Sequence, residues 1–358
     1  TSSISKMEIF YKFMLLIPTP MIITWFLLDV VRKFSIKFKI FAVPNERSSH
    51  SKIVPATGGV ALLISWLLII LMNVVFNDYS LNDDLYFYAL AGIIISIVGF
   101  YDDLQEMPPF IKLFMQFFVF FIITFSDNIL INSFHGVLGI YEIGYYESIC
   151  FSLFVFIVVV NSINLVDGID GLSASLSLFF LSVTAYYFYM TEYQYLILIV
   201  SFSSTLIVFL TFNYSMKRKI FLGDTGSLGL GLCIASLALG WLNTEHPSYG
   251  IFPINPSLFV VLMLAYPLLD VIRVFTIRLY NKKSFMSPDR NHIHHKLIDI
   301  GCNHFSAVIL IIITQFLLLL TNIYIINGLN LHYQIVINGI IISIILYGLF
   351  KIPNKSIS

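Results

Sequence analysis

Four clusters in the chain carry residue types suited to phosphate and cation chemistry. The first is Asp102-Asp103-Leu104-Gln105-Glu106. Asp102 and Glu106 stand i, i+4 and Asp103 and Glu106 i, i+3, so on a helical continuation the carboxylates crowd unless a cation sits among them. The second runs from Asn161 to Gly171, where Asn161, Asn164, Asp167 and Asp170 recur every three residues. That spacing predicts a polar stripe at a helix end, and two amides with two carboxylates suit a hard divalent cation and a polar ligand. The third, from Lys217 to Ser227, sets Lys217-Arg218-Lys219 beside Phe221 and Gly223-Asp224-Thr225-Gly226-Ser227. A basic triplet and a carboxylate in a glycine-rich turn before a helix can hold phosphate with its counter-ion, although the spacing is not that of a Walker loop. The fourth, Asp289-Arg290-Asn291-His292-Ile293-His294-His295-Lys296, packs three histidines into four positions. With no thiolate and no H-E-x-x-H pattern, phosphate and sugar are better ligands for it than zinc.

Two weaker features accompany these clusters. Pro44 to Lys52, with His50 and Lys52, reads by itself as a basic loop entering an apolar run. Asp270 and Arg273, i and i+3 inside another apolar run, read as a structural pair of a bundle interior.

The elements that must position these residues are membrane helices. The chain has 358 residues, 58% hydrophobic and 11% charged, and a soluble protein carries about 25% charged residues. Lys plus Arg and Asp plus Glu are 20 each, so no bulk charge favours nucleic acid. Three cysteines without a C-x-x-C pair predict neither a disulfide framework nor a thiolate metal site. Apolar runs of about 20 residues predict an all-α, polytopic transmembrane helical bundle of about 11 spans: roughly 10–30, 59–77, 85–101, 110–126, 148–165, 172–190, 194–212, 226–242, 257–278, 305–325 and 332–350. The whole of 1–358 reads as a single integral-membrane domain. Alternate loops collect 18 of the 20 basic residues, which predicts the N-terminus outside and the C-terminus in the cytoplasm. The stretch 126–147 is expected outside, as a hairpin or at the interface. All four clusters follow odd-numbered spans, so parity predicts one composite site on the cytoplasmic face.

Together these residues resemble the polyprenyl-phosphate N-acetylhexosamine-1-phosphate transferase family, from Pro44 to His295 and in the family's order. The histidine segment is similar to that of the bacterial undecaprenyl-phosphate GlcNAc-1-phosphate transferases rather than the lipid I synthases. The resemblance implies a bacterial inner-membrane enzyme that moves GlcNAc-1-phosphate from UDP-GlcNAc to undecaprenyl phosphate, releasing UMP, as the first step of a cell-surface glycan such as O-antigen or a cell-wall linkage unit. UDP-GalNAc and deoxy-amino sugars are alternative donors, and a homodimer is compatible. The implied cofactor is magnesium, with manganese as the alternative, and Asn164 and Asp224 are its implied ligands. Asp102 and Asp103 become acceptor-positioning or deprotonating carboxylates, and Lys112 a phosphate contact. Phe221 and Asp170 would stack on and hydrogen-bond the uracil, with Asp167 beside the nucleotide. Arg290, His292, His294 and His295 would face the diphosphate and sugar, and His50 and Lys52 join the substrate-binding set. Glu106 departs from the Asp found in many relatives, which puts an essential role there in doubt.

The competing class is a cation-coupled secondary transporter. Transporters place coupling carboxylates near the bilayer midplane in broken helices, whereas all these carboxylates except Asp270 fall at predicted helix ends.

Overall fold

The computed structural model describes residues 17–42, 53–76, 84–125, 129–191, 193–243, 254–282, 284 and 291–350. Among these, thirteen α-helices form: α1 Pro18–Phe38, α2 Gly58–Phe76, α3 Asp84–Leu104, α4 Pro109–Ile123, α5 Tyr145–Leu165, α6 Leu172–Thr191, α7 Tyr193–Asn213, α8 Gly223–Asn243, α9 Pro256–Met263, α10 Ala265–Tyr280, α11 Ile293–Asp299, α12 His304–Thr321 and α13 Leu331–Phe350. The described β structure is a two-residue antiparallel pairing of β1 (Phe41–Ala42) with β2 (Val54–Pro55) and one isolated bridge. The fold is all-helical, as the long apolar runs predict.

Burial follows the rules of a bilayer rather than of water. Large apolar side chains face outward, among them Phe110 at 73%, Ile344 at 66% and Ile97 at 62% exposure, while Ser173, Ser177, Thr184, Ser204 and Thr205 are buried. Small residues let helix backbones approach where no hydrophobic effect drives them together. Several of these hydroxyls return to their own helix, as Thr184 does to the Phe180 carbonyl and Ser204 to that of Val200. Five described helices are long and apolar enough to cross a membrane: α3, α5, α8, α12 with its continuation to Ile326, and α13. A sixth counts if α9 and α10, bent by 69°, form one span. The chain is a multi-pass membrane protein.

Several elements depart from the sequence expectation. The first predicted span ends near residue 30, yet α1 continues to Phe38. Charge ends an apolar run without ending a helix: Asp29 pairs with Lys33 and approaches Arg32 on the same face. The ninth predicted span is broken at Leu264, just before Pro267. Gln315 of α12 takes up the orphaned backbone there, donating to the Leu262 carbonyl and accepting from the Tyr266 amide at 3.2 Å. The polar stripe is not one helical face, since α5 ends at Leu165 and Asp167 and Asp170 lie in the following turn. Glu106 likewise lies past the end of α3 at Leu104, so the predicted carboxylate crowding on one helix does not form. Within the stretch 126–147, the described residues form a hairpin, with a Ser133–Glu142 bridge and the Phe134 amide donating to the Tyr141 carbonyl.

The chain divides into two compact units. One comprises Thr1–Val43, Lys52–Glu106 and Ala174–Gly229, the other Pro44–Ser51, Met107–Ser173 and Leu230–Ser358.

Candidate active site

The first unit holds Asp102, Asp103, Phe221 and Asp224. Its centre is the N-terminus of α8, which begins at Gly223, so the Gly-Asp-Thr-Gly-Ser sequence is itself the first turn. A helix start leaves orphan amide donors that need acceptors. Asp103, on the last turn of α3, supplies them from outside. Its Oδ1 accepts from the Asp224 amide at 2.7 Å, and its Oδ2 accepts from the Thr225 amide at 3.0 Å and the Thr225 hydroxyl at 2.7 Å. A carboxylate in that position also meets the positive end of the helix dipole.

Glycine makes this approach feasible. A Cβ on Gly99 of α3 would stand 2.5 Å from the Asp224 carbonyl and the Thr225 amide nitrogen. The segment before α8 is pinned just as closely: the Phe221 amide donates to Pro55, and the amides of Gly58 and Gly59 donate to the carbonyls of Phe221 and Leu222, all between 2.8 and 2.9 Å. Asn213 adds a bond from its side-chain amide to the Ile220 carbonyl. Phe221 and Asp224, both half-buried, are thus presented by backbone with little freedom. Two of the neighbouring basic triplet lie over aromatic rings: Arg218 over Phe212 and Trp25, and Lys219 over Phe221 at 5.3 Å.

The second unit holds Lys112, Asn164, Asp167, Asp170, His292, His294 and His295. Asn161, the first member of the stripe, packs helices rather than facing a ligand. Its amide donates to Gln116 Oε1 at 2.6 Å and accepts from Gln116 Nε2 at 3.2 Å, joining α5 to α4. Lys112 lies one turn before Gln116 on the same face of α4 and is half-buried. Asn164 occupies the last turn of α5.

The turn after α5 meets the histidine segment. A Cβ on Gly168 would stand 2.2 Å from His294 Nε2, so only glycine lets that imidazole lie against the turn. His294 is fully buried, with its ring centroid 4.4 Å from His295 and 5.3 Å from His292. Its two ring nitrogens have no hydrogen-bond partner among the described residues. Burial first, then the neighbouring His295, His292 and His304, hold its pKa well below the ordinary imidazole range.

Around this neutral ring stand two carboxylate–imidazole pairs. Asp270, fully buried in α10, accepts from His292 Nδ1 and from the Ile293 amide, each at 2.6 Å. Arg273, one turn on, donates to the Asn291 carbonyl. The two side chains therefore strap residues 291–293 onto α10, a wider role than the local pair expected from their spacing. The other pair joins Asp170 Oδ2 to His304 Nδ1 at 2.7 Å. His304 belongs to no motif, and a lone histidine nine residues beyond His295 carries no signal in sequence. Arg290, His50 and Lys52 lie outside the described residues. Cys150, Cys233 and Cys302 are free thiols.

Residues 85–242 match glycosyl transferase family 4. The chain is 30% identical over 316 residues to the Bacillus subtilis (strain 168) protein named "Probable undecaprenyl-phosphate N-acetylglucosaminyl 1-phosphate transferase", covering 87% of this chain and 83% of that protein. It is 29% identical to the Mycolicibacterium smegmatis decaprenyl-phosphate N-acetylglucosaminephosphotransferase, over 82% of this chain and 77% of that one. Against the Escherichia coli (strain K12) undecaprenyl-phosphate alpha-N-acetylglucosaminyl 1-phosphate transferase it is 26% identical, over 82% and 79%. With a similarity that runs through most of both chains, the protein belongs to glycosyl transferase family 4, among its membrane-embedded sugar-phosphate transferases.

Proposed function

We propose that the protein transfers GlcNAc-1-phosphate from UDP-GlcNAc to undecaprenyl phosphate, giving undecaprenyl-diphosphate-GlcNAc and UMP, and so begins a cell-surface glycan. The observation that carries this reading is the packing of His294 against Gly168: within one unit, the segment after α5 and the histidine segment form a single constellation. A buried imidazole whose nitrogens lack partners among the described residues suits a ligand that brings hydroxyl or phosphate groups to it.

In this reading an oxygen of the acceptor phosphate attacks the donor's β-phosphorus. A new P–O bond forms, the bond from that phosphorus to the bridging oxygen breaks, and UMP leaves with the electron pair. The acceptor needs no strong base, because a phosphate monoester has its second pKa near about 6. Asp103, already accepting three hydrogen bonds, holds the start of α8 in place. Asp102 positions the acceptor phosphate, and the Lys112 ammonium offsets its charge. Phe221 and Asp170 take the uracil, Asp167 stands beside the nucleotide, and Arg290, His292, His294 and His295 take the diphosphate and sugar, with His50 and Lys52 in the substrate-binding set. Asn164 and Asp224 would supply oxygen donors to magnesium, since a carboxylate and an amide oxygen suit a hard cation. Bound there, it would neutralise diphosphate charge.

The reading includes eleven spans, the N-terminus outside, and an active site on the cytoplasmic face of the bacterial inner membrane. The distribution of basic residues supports it. Cysteine reporters at Asn82 and Ser284, in a chain lacking the native cysteines, should label from opposite sides, with Ser284 cytoplasmic; labelling from one side would break the orientation. The broken helix α9–α10 with its buried Asp270 is the feature that favours a transporter. Both Asp270 oxygens, however, accept from the histidine segment, which is a fixed structural use rather than a coupling site.

Donor choice is tested with UDP-GlcNAc, UDP-GalNAc and UDP-MurNAc-pentapeptide, each supplied with undecaprenyl phosphate and magnesium. UDP-GlcNAc should be preferred and the muramyl-pentapeptide rejected. The epimer should be disfavoured by one or two hydrogen bonds, each worth about 0.5 to 1.5 kcal/mol. Equal or better use of the muramyl donor would overturn the assignment of the histidine segment.

A further inference from the structure

We propose that His304 is a positioning residue for the donor nucleotide, acting through Asp170. The inference rests on the assignment of Asp170 to the uracil made above and adds a residue that no motif contains.

Asp170 sits in the turn after α5. A carboxylate meant to read a base must be held, because an unrestrained one loses rotamer freedom when the ligand binds. His304 supplies the restraint. Its Nδ1 lies 2.7 Å from Asp170 Oδ2. Two lone pairs do not approach so closely, so a proton lies on the 2.7 Å contact, and with the carboxylate ionised the imidazole donates it. Both side chains are largely buried, at 20% and 11% exposure, which keeps water from competing.

The register of His304 is fixed as well. It is the first residue of α12, and Asn303 caps that helix by accepting from the Ser306 amide at 2.8 Å. Upstream, the Cys302 amide donates to the Leu297 carbonyl at 3.0 Å, tying the connection to α11. The ring is thus delivered to Asp170 by a capped helix start attached to the histidine segment itself. The chemistry of the ligand explains the use. Uracil presents an N3–H donor between two carbonyls, and an ionised, oriented carboxylate oxygen accepts from it. Cytosine has a lone pair at that position and would be repelled.

The test compares His304→Leu, His304→Asn, Asp170→Asn and the Leu/Asn double variant for donor KM, acceptor KM and kcat. His304→Leu should raise the UDP-GlcNAc KM about tenfold with kcat and acceptor KM within about twofold, as loss of preorganised binding does. His304→Asn, whose amide nitrogen reaches near the Nδ1 position, should recover most of that loss. Adding His304→Leu to Asp170→Asn should change little, because the two act as one unit. If Asp170→Asn raises the donor KM and His304→Leu does not, the positioning role is overturned while the uracil assignment stands. If Asp170→Asn leaves the donor KM unchanged, the uracil assignment itself fails. Should His304→Leu not fold, competition by UMP decides between the polar variants: His304→Asn should retain UMP inhibition and His304→Gln should weaken it, and equal inhibition would overturn the proposal.

Discussion

The start of α8 and the histidine constellation are both polar, both built from motif residues, and energetically opposite. At the start of α8 the hydrogen bonds of Asp103 close on protein, two amides and a hydroxyl, and the segment before it is bonded to residues 55–59. Among the histidines, Asp270 and Asp170 are satisfied, yet His294 lies fully buried with no partner for either nitrogen among the described residues. A satisfied polar group maintains a shape, whereas an unsatisfied one raises the free energy of the empty site and lowers it when a ligand supplies the bond. The first region is a scaffold that holds Asp224 and Phe221 in place; in the proposed reading the second takes the donor's oxygens.

The largest effect should come from the group that the scaffold presents. Asp224→Ala should lower turnover at least about a hundredfold while the protein still folds in detergent, since a hard-cation site loses a principal ligand. Normal turnover, or full wild-type activity in excess EDTA, would remove Asp224 from the mechanism. Lys112→Gln should cost about 2 kcal/mol, roughly thirtyfold in kcat/KM, as loss of a charge-assisted phosphate contact does. A variant within twofold of wild type would make Lys112 a topology residue only.

The contrast itself is sharpened by stability measurements. Asp103→Ala strips the cap from α8 and should destabilise the protein by roughly 2 kcal/mol with or without donor. His294→Leu should leave the ligand-free protein as stable or up to about 1 kcal/mol more stable, because an unpartnered buried polar group is gone, and should abolish the stabilisation that UDP-GlcNAc confers. The reverse pattern would exchange the roles of the two regions.

The smallest effect is a pH dependence. His294 is held neutral in the fold, well below the value of about 6.5 it would have unfolded. Above that pH both states are neutral and nothing changes. As pH falls below it, the unfolded chain takes a proton that the folded one refuses, so stability decreases. Thermal unfolding between pH 8 and 5 should show this loss in the wild type and a shallower one in His294→Leu.

Much of this was legible in the sequence, and what was not has definite causes. The all-helical class and the membrane setting follow from composition, and the motif residues fall at helix ends where hydrophobicity stops. The Asp103 cap was not legible, because 121 positions separate it from Asp224 and only tertiary structure brings a carboxylate to a foreign helix start. The same holds for His304 and Asp170, 134 apart. Period-three spacing misled at Asp167 and Asp170, since a polar repeat reads as helix even where glycines let the chain turn. Asp270 and Arg273 read as a local pair because i, i+3 spacing is visible in sequence, while their partners at 291–293 are not.

The central claim is that a sugar phosphate, not a bare sugar, crosses to the lipid, and the nucleotide released reports it directly. Purified protein with UDP-GlcNAc, undecaprenyl phosphate and magnesium should release UMP in equal amount to a lipid product heavier than the acceptor by one GlcNAc-1-phosphate. Release of UDP, or UMP formation that does not depend on the lipid, would contradict the account.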